Sequence, residues 1–262
     1  VVMVVYDGTN FQLLNPSISN QFQSPPALGN VTPNAVSATT LTAAGYSGAF
    51  PRDNKIINGA MVIDQRHVGA LQTGVASGDY LVDRWMYTMG GTTAVLNAQQ
   101  STDVPTGNVY QNSQSLVVTT ADAAVASGDY AFLQQRIEGF NITDLVGTTF
   151  TLSFWVKSPK TGVHCVAFRN SSPNRSYVME YTVNAANTWE SKSVTVTGGL
   201  TTGGTWSYTT GIGLVVTFAL MAGATYQTNA GSWQVGNYSA TSNQVNVLDT
   251  VSNTFKLTGV QL

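Results

Sequence analysis

The chain is 262 residues long, 27.8 kDa, which is room for one large all-β domain with a substantial core. Only 9% of its residues are charged, with 11 Lys plus Arg against 13 Asp plus Glu, so no basic field is available to attract nucleic acid or an anionic membrane. Gly, Ser, Thr, Asn and Gln crowd the intervals between apolar runs, and such a neutral surface favours neutral partners.

In chain order, VVMVVY (residues 1–6) is an apolar, β-branched run, and Asp7-Gly8 is the dipeptide of a two-residue type I′ turn. Residues 9–14 read as the return strand, so 1–14 predict a β-hairpin. Apolar residues at consecutive positions need cover on both faces. Two strands do not supply it, so the expected cover is an upstream segment or neighbouring subunits. No charged leader or cleavage site opens the chain, and the expected place of assembly is a bacterial cytoplasm.

Residues 15–54 hold NPSISNQFQSPPALGNVTPN, with four of the eight prolines, and read as an irregular arm. Residues 55–262 differ in texture: from Asn58 onward, period-2 segments recur between Gly, Pro and Asn clusters, a spacing that predicts a β-sandwich. The hexapeptide VASGDY occurs at 75–80 and again at 125–130 with no further similarity. This predicts one turn solution used twice to lead a Tyr into a strand.

In TFTLSFWVKS (149–158), Phe150, Leu152, Phe154 and Val156 fall on one face while Trp155 and Lys157 fall on the other. His164 and Cys165 are adjacent in a predicted strand. They face opposite ways and do not form a catalytic pair, and Cys165, the one cysteine, is expected to be a buried core thiol. GIGLVVTFAL (211–220) is apolar on both faces, as a central strand would be. The apolar stretch 213–223 is too short to span a bilayer, so no membrane insertion is expected. No long helical period appears, and helix should be minor.

The segments NGAMVIDQR (58–66), YLVDRW (80–85), LQQRIEG (133–139), TLSFWVKS (151–158), NTWESKSVTV (187–196) and TGVQL (258–262) occur in this order. In that order they resemble the C-terminal jelly-roll modules of tailed-bacteriophage tail fibres and related virion appendages. YDGTNFQLLNP resembles the strand-turn-strand preceding such modules, and TLSFWVKS is similar to carbohydrate-binding jelly-roll modules of secreted glycosidases. The resemblance implies an all-β jelly-roll β-sandwich behind an N-terminal hairpin and arm, and a virion-surface location. It also implies a homotrimer contacting other virion proteins and a bacterial surface glycan. A structural calcium ion is compatible with the family, but no D-x-D-x-D-G loop marks one, and no other cofactor is expected.

Carboxylates that could be paired for glycoside hydrolysis are Asp64, Asp83, Glu138, Glu180 and Glu190, and any sandwich of this size offers such pairs. Without a nucleophile elbow, P-loop or zinc motif, the expectation is a non-catalytic protein. Sugar binding needs flat aromatic faces beside planar amides and carboxylates. Trp206 and Tyr208 in TTGGTWSYTTG, and Trp233 and Tyr238 in GSWQVGNYS, lie in Gly-rich loops where no strand register buries them. A sheet-face platform of Trp155 with Gln134, Arg136 and Glu138 is the second candidate. Trp85 and Trp189 belong to motif strands and read as core or sheet-packing residues. The alternative function is purely structural, as a capsid-decoration or fibre-shaft module, with a glycan depolymerase behind it.

Overall fold

The computed structural model describes residues 3–6, 8–9, 11–14, 54–107, 110–200 and 203–262. The chain divides into two units, Val1–Pro51 and Arg52–Leu262. In the first, β1 (Met3–Tyr6) pairs antiparallel with β2 (Phe11–Leu14). Tyr6 stands opposite Phe11, so four residues connect the strands rather than the two expected from Asp7-Gly8, and the return strand starts at Phe11 rather than Thr9. The rest of the expected arm lies outside the described residues.

The second unit is a jelly-roll β-sandwich. Its five-stranded sheet runs β10 (Glu190–Val196), β7 (Phe150–Lys157), β13 (Thr254–Gln261), β5 (Ser113–Thr120), β4 (Val95–Ser101). Its six-stranded sheet runs β12 (Trp233–Val235), β9 (Arg175–Val183), β8 (Gly162–Arg169), β11 (Ile212–Ala222), β6 (Tyr130–Glu138), β3 (Trp85–Gly90). The helical content among the described residues is three 3-10 segments, Gly139–Leu145, Ala224–Tyr226 and Val247–Asp249.

Period-2 alternation sorts the side chains. Phe150, Leu152, Phe154 and Val156 of β7 point inward as their spacing predicts. Phe154 meets Tyr181 and Phe218 edge-on, with centroids at 4.9 and 5.0 Å, and Trp85 packs on Phe218 at 6.1 Å. Each such aromatic side chain contributes about 1.5–3 kcal/mol by leaving water. β11 is central, between β8 and β6, and is buried along nearly its whole length. An irregularity between Ala219 and Met221 shifts its register, so that Leu220 and Met221 both join the core.

His164 points into that core, stacked on Tyr181, and burial lowers its pKa. Cys165 points the opposite way, is fully buried, and has its thiol pKa raised by burial. It belongs to a second apolar cluster on the outer face of the six-stranded sheet, with Phe132, Ala167, Val178 and Ala219. Residues 223–245 fold back over this cluster: Gly231 donates to Val178 O, Val245 to Val163 O, and Gln244 accepts from Cys165 N–H at 2.6 Å. That part of the outer face, including Phe132 of β6, is thereby roofed, while Arg136 of β6 stays exposed and Glu138 half-buried.

The motif 58–66 does not form the period-2 strand expected there; it is folded into turns. Asn58 and Met61 take left-handed φ of 55° and 58°, and the Asn58 side chain bonds Ile63 N–H and the carbonyls of Ile63 and Asp83. Local Asn bonding has displaced the ladder.

Candidate functional site

The two copies of VASGDY build the same turn. In the first, Ala76 N–H donates to Asp79 Oδ2 at 2.8 Å and Asp79 N–H to Ala76 O at 3.2 Å. In the second, Ala126 and Asp129 repeat this at 2.7 and 3.1 Å. The tyrosines that follow part company. Tyr130 opens β6 and is packed against Phe132 and Tyr226, with centroids at 5.1 and 4.9 Å. Tyr80 makes only an isolated bridge to Met86 at the sheet edge, remains 37% exposed, and has the Arg66 guanidinium 4.9 Å from its ring centroid.

Tyr80 stands in a groove that runs past the Arg136 and Glu138 end of β6 on the six-stranded sheet's outer face. Three hollows share walls. One of about 550 Å³ lies among Ile57, Ile63, Arg66, Tyr80 and Arg84. The second, about 240 Å³, lies among Tyr80, Arg84, Met86, Arg136, Glu138 and Ile212. The third, about 200 Å³, lies among Gln134, Arg136, Arg169, Val215, Ile212 and Asn237. Arg84 adopts φ 74°, a left-handed conformation that costs a side-chain-bearing residue about 1–3 kcal/mol. In this pose its Nη2 donates to Glu138 Oε1 at 2.6 Å and to Arg136 O at 3.2 Å. The Arg84 bond is the main cause of a Glu138 pKa below the ordinary glutamate value, so the carboxylate is ionised at neutral pH.

Alternation along β6 brings Gln134, Arg136 and Glu138 to this face, as their spacing predicts, with Gln134 buried and Arg136 exposed. Trp155 does not join them. It lies on β7 of the other sheet, opposite Ser191 and Thr258, facing outward on the far side of the sandwich. The expected four-residue platform is therefore not formed, because parity fixes a face and leaves open which sheet the strand enters. On Trp155's side, Trp189 Nε1 donates to Asp103, which also takes Lys157 and Lys256. Trp85 is in the core.

Trp233 is not in a loop without register; it opens β12 opposite Tyr177 and is half-buried. Trp206 meets it edge-on, centroids 5.5 Å apart, with its Nε1 bound to Gly203 O. Both pack against one end of the core. Tyr208 is 37% exposed and does not line the three hollows, and Tyr238 lies on the outer apolar cluster. Sequence reasoning missed Tyr80, Arg84 and Asn237 as parts of one site. For Tyr80 the available signal was the residues after it, since Leu81-Val82-Asp83-Arg84 differs from the Ala131-Phe132-Leu133-Gln134 that continues Tyr130 into β6.

No protein-family profile and no curated protein matches this chain. Solved structures of similar outline include the enzymatically active domain of tailspike protein 4 from bacteriophage CBA120, at 17% identity and TM-score 0.43. That match covers 79% of this chain and 21% of the tailspike chain. A carbohydrate-binding module, CBM4, is similar at 17% identity and TM-score 0.39, covering 79% of this chain and 98% of that one. The family 11 carbohydrate-binding module from Clostridium thermocellum, in complex with a β-1,3-1,4-mixed-linked tetrasaccharide, is similar at 12% identity and TM-score 0.38, covering 73% and 94%. The chain thus spans about a fifth of the length of that tailspike chain.

Proposed function

We propose that residues 55–262 form a non-catalytic glycan-binding module of a virion surface appendage, a tail or head fibre that contacts host cell-surface glycans. The observation that carries the binding reading is the groove over β6 and β3. It offers an exposed aromatic ring, Tyr80, in line with amide and guanidinium side chains fixed by strand register. A pyranose presents an apolar C–H face and a rim of hydroxyls, and this combination of ring and planar polar groups suits both. The virion part is supported by the ordered motifs from NGAMVIDQR to TGVQL and by the nearly uncharged composition. A trimeric tip, assembled in the host cytoplasm, would raise weak single-site affinity through effective concentration.

Binding without cleavage is supported by the state of two of the candidate carboxylates. A glycosidase acid keeps its proton at working pH through a raised pKa, whereas Glu138 and Glu190 are held below the ordinary value by Arg84 and Lys192. The test is a bacterial-glycan array with the full chain, followed by calorimetry on the hits. Tyr80→Ala should weaken the best hit by roughly three- to tenfold, the worth of about 0.5–1.5 kcal/mol of aromatic contact. Silence across the array, an unchanged affinity in Tyr80→Ala, or shortened saccharide chains after incubation would each refute the reading.

A further inference from the structure

The smallest of the three hollows has a lining unlike the rest of this weakly charged chain. Arg169, at the end of β8, is drawn over the Phe132 ring, its guanidinium carbon 5.8 Å from the centroid. Its Nη1 donates to Asn237 Oδ1, and its Nη2 to Gln134 Oε1 and Thr217 Oγ1 at 3.3 Å each. All three partners are neutral. Its Nε is fully buried with no hydrogen-bond partner, and no carboxylate among the described residues forms an ion pair with it. Burial lowers its pKa to about 10, and it stays cationic at neutral pH.

Arg136 shares the hollow, and its guanidinium has no hydrogen-bond or ion-pair partner among the described residues. Its charge adds to the lowering of the Arg169 pKa. Because Arg169 occupies the amide oxygens of Gln134 and Asn237, which both line the hollow, the NH2 groups of both amides are left without a hydrogen-bond partner among the described residues. Two guanidinium groups and two amide NH2 groups make a wall of donors. A sugar hydroxyl, which donates as well as accepts, matches such a wall poorly; an oxyanion, which only accepts, matches it well.

We propose that this hollow reads an anionic substituent on the glycan, a carboxylate or a phosphate or sulfate ester, held between Arg169 and Arg136. The proposal rests on the glycan-binding reading above and specifies its ligand. At about 200 Å³ the hollow is below the roughly 300–1,000 Å³ of pockets that enclose a whole small ligand, so it takes a substituent while the saccharide continues along the groove. It also replaces the neutral ligand favoured by composition. Average charge describes the surface as a whole, whereas this hollow concentrates two of the few cations without their counter-ions.

The experiment is calorimetry on the full chain with paired saccharides. Tetragalacturonate is set against its carboxyl-reduced form, and sialyllactose, lactose sulfate and lactose phosphate against lactose. At least one acidic member should bind about tenfold or more tightly than its neutral parent, and which one does so identifies the anion. Arg136→Gln, an exposed position, should abolish that preference. Asn237→Asp would place a carboxylate against Arg169 and should do the same while raising the melting temperature, so loss of binding is separated from loss of fold. Lys157→Gln, on the opposite face, should leave the preference intact. Equal binding of acidic and neutral partners would overturn the anion proposal and leave glycan binding standing; failure of every saccharide to bind would overturn both.

Discussion

Glu190, at the start of edge strand β10, gives the sandwich a stability that depends on acid. Burial alone would raise its pKa, but the Lys192 ammonium at 2.6 Å, the N–H groups of Ala185 and Asn184 and the Asn184 side chain outweigh it and bring the value down to about 2. In the unfolded chain a glutamate titrates near ~4.3. A folded value below the unfolded one means that the contribution is fully present above that pH and is lost as pH falls toward 2. Melting temperatures measured from pH 7 to 2 should therefore fall less steeply below about 4.3 in Glu190→Gln than in the parent, from a lower starting point at pH 7. Such residue-scale features were partly legible. The inward set of β7 and the outward set Gln134, Arg136, Glu138 follow from alternation alone. The difference between Tyr80 and Tyr130 does not, since both close one hexapeptide and only the long-range pairing of the following residues packs the second against Phe132 and Tyr226.

Just beyond β6, Gly139 N–H donates to Gly211 O at 2.8 Å and Phe140 N–H to Thr209 O at 3.0 Å, holding the chain close to the segment that leads into β11. A Cβ there would overlap Ser207 O and Thr209 N, both backbone atoms with little freedom to move. Gly139→Ala should cost about 1–3 kcal/mol in a denaturant titration, the range for overpacking. It should also weaken glycan binding by shifting the Thr210–Ile212 wall, and unchanged stability would refute the contact. Strands that could be read from the sequence are those in which period and propensity agree, as in 149–158. The segment 58–66 misled because its apolar run Ala60–Ile63 reads as a strand, while its two left-handed residues and the Asn58 side chain made turns cheaper than a ladder. The irregularity of β11 left no trace either, being hidden in a run apolar on both faces.

At the scale of the molecule, sequence alone assigned each strand a face but no sheet, and this is why Trp155 was grouped with β6 residues that lie across the sandwich. Sheet membership depends on pairings between residues far apart in the chain, which local period does not encode. The proposed trimer has its test at this scale too. A chain beginning at residue 52 should keep the thermal transition of the sandwich and scatter light as monomers or aggregates, while the full chain scatters as a trimer; a truncated chain that stays trimeric would refute a role for the hairpin and arm. One feature of the five-stranded sheet bears on how the protein is made. β13 lies between β7 and β5, so during translation these two strands wait with open edges until the ribosome has delivered Thr254, 97 residues beyond the end of β7 at Lys157. At about 5–20 residues per second that is roughly 5–20 seconds of exposed ladder. The nascent sandwich is for that interval a half-closed book, most open to pairing with its neighbours on the same polysome.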